Sequence, residues 1–273
     1  TSEGGRDATG VSLRTVRYTA TILGKCLADA EREGVIPRNP ARRASPPTTT
    51  STRAPEFTVW TPEETSEFLT RNRDFHHGAA FRVAALTGLR RGELLGLRWT
   101  DVDLDAGTLV VRQTVTAIHT PAPEGSGRRR TTTLSFGEPK TARSRRTVDV
   151  DPETVRVLRT HRRTQLEQRV AVGEGYQDHG LVFAMVDGKP WNPETFSQAF
   201  NRRVIASGLP RIRLHDLRHG HATHALAAGV NPKVVSERLG HSSVAFTLDV
   251  YAHVMPGEQA DAAALVASLV DGR

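Results

Sequence analysis

After the linker, four helix starts are marked by a capping side chain directly before a proline: Thr61-Pro62, Asp151-Pro152, Asn192-Pro193 and Asn231-Pro232. Proline lacks the N–H that a first helical turn leaves unpaired, and its fixed φ suits that turn, while the Thr, Asp or Asn oxygen accepts from an amide further in. Thr61 with Glu64 also fits a capping box. These marks commit most of the chain after residue 58 to helices with defined starting points. Between them, residues 107–115 (GTLVVRQTV), 131–136 (TTTLSF) and 146–150 (RTVDV) are rich in β-branched residues and bounded by turn chemistry. The expected fold is mainly α with a small antiparallel three-stranded sheet, an α+β class, and residues 119–130 (HTPAPEGSGRRR) read as a loop joining the first two strands.

Residues 12–34 carry apolar side chains at mostly helical spacing, with Ser12 as the candidate N-cap and Cys26 expected on the buried face. That pattern gives way at residues 35–57 to Pro, Thr, Ser and Arg, the composition of a linker. The expected organisation is therefore a helical segment over residues 1–40, a linker over 41–57, and a larger domain over 58–273.

The 37 Lys and Arg outnumber 30 Asp and Glu, giving a net charge of +7, which favours a polyanionic partner such as nucleic acid. A chain with one cysteine has no internal disulfide framework and no multi-cysteine zinc site. No apolar run reaches the roughly 18 residues of a membrane span, and the polar start TSEGGRDATG lacks a signal-peptide core, so the expected location is cytoplasmic.

Chemistry concentrates at residues 214–224, LHDLRHGHATH, where four histidines, an aspartate and an arginine share eleven positions. On a helix, His215, Arg218 and His219 fall on one face. The H-D-L-R-H spacing matches the zinc-peptidase pattern H-E-x-x-H, but aspartate replaces the general base and an arginine on the ligand face repels a divalent cation. A phosphate-handling site suits these groups better. Arg90, in ALTGLRRGELLGLRW, stands at a helix entry where a guanidinium can fork onto phosphate oxygens beside free amides. Lys140, in EPKTARSRRTVDV, lies in a turn between strands, with Arg143, Arg145 and Arg146 close behind. His241 follows a helix-ending glycine in LGHSS, and Tyr251 comes ten residues later in TLDVYAHV.

Together, TGLRRGE, the hairpin lysine, HDLRH, LGHSS and TLDVYAHV resemble, in order and spacing, the tyrosine recombinase (phage integrase) family over residues 55 to about 256. The stretch LRTVRYTATILGKCLADAEREGVIPRNP is similar to the end of that family's core-binding domain. The resemblance implies a site-specific recombinase that cuts and rejoins DNA through a 3′-phosphotyrosyl link, with Tyr251 as nucleophile and Arg90, Lys140, His215, Arg218 and His241 completing the catalytic site. It implies His215 as partner for the tyrosine proton, Lys140 as the acid for the leaving 5′ oxygen, and no metal or cofactor. His219, His221 and His224 are left structural or DNA-facing, and Arg91, Arg143, Arg145 and Arg146 are expected DNA contacts. The implied partner is a double-stranded DNA attachment site bound by a homotetramer. The Ala/Val/Leu-rich tail over residues 258–272 is a helix that docks on a neighbouring subunit or on its own core. Two other readings share these residues: a type IB topoisomerase-like relaxase, and a non-catalytic DNA-binding regulator on the same fold.

Overall fold

In a computed structural model of the chain, the described residues are 11, 13–45, 58–123, 127, 129–139, 144–251 and 259–271. Two compact units divide it, Thr1–Ala54 and Pro55–Arg273. In the first, helix α1 (Leu13–Arg32) is followed by a short 3-10 turn at Pro40–Arg43 that folds back on it: Asn39 donates to the Gly24 carbonyl at 3.1 Å and Arg42 pairs with Glu31 at 2.7 Å. Ser12 and residues 46–57 of the linker fall outside the described residues. Cys26 is exposed, contrary to its expected burial, as are Tyr18, Ile22 and Leu23. The short turn is too small to cover the apolar side of a helix of this length.

In the second unit all four proline-marked helices begin where the caps place them. Thr61 and Glu64 form the reciprocal box at the start of α2 (Pro62–Arg71). Asp151 accepts from the Thr154 amide at 3.0 Å to start α5 (Pro152–Val172). Asn192 accepts from Glu194 at 2.8 Å to start α6 (Pro193–Ser207), and Asn231 from Lys233 at 2.8 Å to start α8 (Pro232–Leu239). The remaining helices are α3 (Gly78–Thr87), α4 (Arg91–Leu95), α7 (Asp216–Ala227), α9 (Val244–Tyr251) and α10 (Gln259–Asp271).

Helix α3 runs through the centre, with Ala79, Ala80, Phe81, Val83, Ala84 and Ala85 all buried and α7, α5, α2 and α4 packed around it. Small alanines let neighbours approach closely, and one large ring, Phe81, anchors an aromatic cluster. Its ring centre lies 5.5 Å from Phe68, 5.6 Å from Phe196 and 5.5 Å from Phe200. Trp60 closes the cluster 4.9 Å from Phe68, its indole N–H donating to the Pro210 carbonyl at 2.8 Å. A second, smaller core joins Ala222 and Leu226 of α7, Val235 and Leu239 of α8, and Tyr251 of α9.

The strands are β1 (Val102–Asp103), β2 (Thr108–Val111), β3 (Thr114–Pro121), β4 (Arg130–Gly137) and β5 (Arg146–Asp149). A three-stranded antiparallel sheet is present, ordered β1-β2-β5, with Leu109 opposite Val148. Its membership differs from the sequence expectation. The run over residues 107–115 splits at Arg112 and Gln113 into two strands, and β3 pairs separately with β4, Thr114 opposite Gly137. The split has a local cause: Gln113 donates to the Gly96 carbonyl at 3.2 Å, and β3 presses on α4 so tightly that a Cβ at Gly92 would lie 2.5 Å from Thr114 Oγ1. His119 to Pro121, expected in a loop, extend β3 instead.

Phe68 is fully buried in the aromatic cluster, so Phe68→Ala opens a cavity that rigid neighbouring rings cannot fill. We expect it to lower unfolding stability by about 3–5 kcal/mol, read from the urea midpoint at unchanged slope.

Candidate active site

The site forms where two glycine-ended helices meet. Gly88 ends α3 in the left-handed conformation (φ 64°), and a Cβ there would strike Leu239 at 2.4 Å and His221 at 3.0 Å. Glycine thus permits both the turn and the close approach of α7 and α8. The turn delivers Arg90 to the start of α4. Gly240 (φ 65°) ends α8 in the same way and delivers His241.

The last carbonyls of α8 gather the arginines. Arg90 Nη2 donates to the Gly240 carbonyl at 2.9 Å, Arg218 Nη2 to Leu239 at 2.8 Å, and Arg146 Nε to Arg238 at 2.6 Å. Arg218 also donates to the Gly88 carbonyl at 2.7 Å, tying the end of α3 to the same point. A helix C-terminus carries partial negative charge and unpaired carbonyls, so it is a natural seat for guanidinium groups.

One carboxylate sits among them. Glu93, 4% exposed, accepts from Arg90 Nη1 at 2.8 Å, from its backbone N–H at 2.9 Å, and from Arg146 Nη2 at 2.9 Å. Burial works to raise the Glu93 pKa, but the hydrogen bonds and charges of Arg146 and Arg90 outweigh it and hold the carboxyl below its ordinary value. Three guanidinium groups therefore face a single carboxylate. Burial, with Arg90 and Arg146 nearby, pushes Arg218 down to about 9, still charged at neutral pH. Such an excess of buried positive charge is compensated best by an anion.

Tyr251, the last residue of α9, is 2% exposed, and burial pushes its hydroxyl up to about 12, with Arg218 acting in the other direction. Its hydroxyl lies 2.6 Å from His219 Nδ1. His219, to which the sequence assigned no chemistry, thus holds the place expected for His215. The His215 ring stands edge-on to His219, centres 5.0 Å apart, at the mouth of α7. Burial first, then neighbouring positive charge, lowers all three ring pKa values: His215 in direction, His219 to about 4 and His241 to about 3. His241 is buried, with Nδ1 2.8 Å from Thr247 Oγ1.

The other expected residues divide. Lys140 and Arg143 fall outside the described residues. Arg91 donates to Ser197 at 2.8 Å and Arg145 pairs with Glu138. Arg146, expected at a DNA surface, is 6% exposed and committed to Glu93, Ser144 and Arg238. His221 accepts from Arg238 at 3.2 Å and His224 donates to the Trp60 carbonyl at 2.9 Å, both within the packing of α7. Asp216 is clasped by Arg213 at 2.8 Å, and among the described residues no group of three His, Cys, Asp or Glu side chains could hold a metal ion. Glu93 was missed as a partner, although its place three residues after Arg90 was legible as a helix-face pair.

Comparison with known proteins agrees with the fold. The phage integrase family model matches residues 60–258, and the chain belongs to that family, the tyrosine recombinases. It is 30% identical over 259 residues to a tyrosine recombinase XerC-like protein of Caldanaerobacter subterraneus, covering 93% of this chain and 66% of the relative. It is likewise 30% identical to the ICEBs1 integrase of Bacillus subtilis over 257 residues, with the same coverage. The chain thus spans about two thirds of the length of these curated relatives. Among solved structures, the Tn1549 transposon integrase in complex with a circular intermediate DNA superposes with a TM-score of 0.68 at 21% identity, covering 95% of this chain and 80% of that one.

Removing the charge of Glu93 leaves buried Arg146 without its counter-ion, so Glu93→Gln is expected to cost about 3–5 kcal/mol at neutral pH. Because the folded-state pKa of Glu93 is depressed, its contribution is present above the ordinary value of 4.5 and fades as pH falls through the folded value. The stability gap between Glu93→Gln and the unsubstituted chain, measured by denaturant titration at several pH values, should therefore narrow in acid.

Proposed function

We propose that this chain is a site-specific recombinase of a mobile element, cleaving and rejoining DNA strands through a 3′-phosphotyrosyl intermediate. The observation that carries the reading is the meeting of a buried tyrosine hydroxyl with guanidinium groups that outnumber the nearby carboxylates. A phosphodiester repels nucleophiles with its own negative charge, and a tyrosine hydroxyl is a weak nucleophile until it loses its proton. Positive charge held in place beforehand answers both problems. Arg90 and Arg218 bind the non-bridging oxygens of the scissile phosphate, and His241 adds a third donor. At about 3 kcal/mol each in the transition state, three such donors account for a rate factor of roughly a million. Tyr251 attacks phosphorus, Lys140 protonates the departing 5′ oxygen, and His215, at the start of α7, completes the set. The covalent link keeps the energy of the phosphodiester, so a 5′ hydroxyl of another strand reverses the step without ATP.

The domain reading fits the same function. On it, residues 1–40 are the end of a core-binding domain, 41–57 a linker and 58–273 the catalytic domain, and the partner is double-stranded DNA. Four protomers assemble on it, with α10 as the docking element, since its Val266, Leu269 and Val270 are exposed. Relatives named as integrases of ICEBs1 and of Tn1549 support the mobile-element role.

The test incubates the chain with nicked suicide duplexes in EDTA and compares it with Tyr251→Phe on a denaturing gel. A 3′ adduct that maps to Tyr251 and disappears in the variant is expected. Tight binding with no adduct would favour the regulator reading. An adduct on any duplex, with relaxation of supercoiled plasmid, would favour the relaxase.

A further inference from the structure

On the reading that Tyr251 is the nucleophile, we propose that His219 is the catalytic group that takes the Tyr251 proton. The two side chains come from different helices, His219 from the second turn of α7 and Tyr251 from the end of α9, and meet at 2.6 Å, a short hydrogen bond. The rings stand 5.9 Å apart at centre and tilted by 46°, so the phenol presents its hydroxyl to the imidazole edge rather than stacking on its face.

The surroundings bear on the protonation of the pair. Arg218, His215 and Arg213 disfavour a second proton on His219, Asp216 alone on α7 favours it, and burial outweighs them all. His241, from the loop after α8, has its pKa lowered to about 3 by burial first, then by Arg218, Arg90 and Arg146. With His219 lowered to about 4 and Tyr251 raised to about 12, the proposal has the hydroxyl donate and Nδ1 accept, with the ring proton on Nε2.

The step balances. As the bond from Tyr251 Oη to phosphorus forms and the bond from phosphorus to the 5′ oxygen breaks, the phenol proton moves along the existing hydrogen bond to Nδ1. The leaving oxygen takes its proton from a separate acid. Rejoining runs the same path backwards, with His219 returning the proton to the phenolate. A scissile phosphate bound at Arg90 and Arg218 offsets the positive charge that disfavours the imidazolium. The base therefore strengthens only when substrate arrives, and an idle tyrosine stays protonated.

The experiment measures single-turnover adduct formation on the suicide duplex across a range of pH for the unsubstituted chain, His219→Asn and His219→Ala. Asparagine keeps an acceptor close to the Nδ1 position but takes no proton. We expect both variants to lose about 100- to 10 000-fold in cleavage rate, and their rates to climb with hydroxide through neutrality where that of the unsubstituted chain is flat. A His219→Asn rate within a few-fold of the unsubstituted chain, with the same flat profile, overturns the proposal and leaves His219 a positioning residue. Absence of any Tyr251 adduct in the unsubstituted chain overturns the recombinase reading itself, and this one with it. A measurement that needs no variant to fold is the nitrogen NMR of His219 in the unsubstituted protein. A bare Nδ1 with protonated Nε2 is expected at neutral pH, and a proton on Nδ1 overturns the proposal, since that nitrogen then has nowhere to accept the phenol proton.

Discussion

The end of helix α8 is the point on which the site depends. Its last carbonyls, on Arg238, Leu239 and Gly240, receive Arg146, Arg218 and Arg90, which arrive from β5, from α7 and from the turn after α3. These elements are far apart in sequence, and no contact among their arginines would hold them together, because like charges repel. A helix terminus solves the problem in one place: its unpaired carbonyls need donors and its dipole favours cations. Gly240 in the left-handed conformation keeps those carbonyls from being consumed by further helix, and Gly88 lets α3 end close enough to share in the arrangement.

Glu93 sets the limit of that solution. With one carboxylate the arginines are tolerated and positive charge remains in excess; each further carboxylate would reduce what is left to attract an anion. Burial first, and Arg218 in every case, lowers the pKa values of the neighbouring His215, His219 and His241. The fixed positive charge of the site is thus carried by arginine, which does not titrate in the working range.

Much of this was legible in the chain because it is local. The cap-proline pairs, Gly88 and Gly240 are signals spanning a few residues, and each helix start and turn follows from them. What could not be read was set by distance. The split of residues 107–115 depends on how closely β3 approaches Gly92 and Gly96, which no strand propensity encodes. Arg146 looks like any exposed hairpin arginine until Glu93, 53 positions away, claims it. Cys26 lies on an amphipathic helix whose apolar side the turn at Pro40–Arg43 is too short to cover.

That Tyr251 meets His219 and not His215 has the same origin. Two residues four apart on a helix occupy one face, so spacing alone cannot tell which meets a tyrosine supplied by another helix. The approach of α9 decides it. Tyr251 closes the small core of Ala222, Leu226, Val235 and Leu239, so its ring is fixed by packing before any substrate is present, deep beside the second turn of α7. That depth leaves His215, one turn nearer the start of α7, facing outward. A side chain fixed by a hydrophobic core has little freedom left to lose, but burial also holds its proton more tightly. The same packing that orients the Tyr251 hydroxyl also sets it against the His219 imidazole.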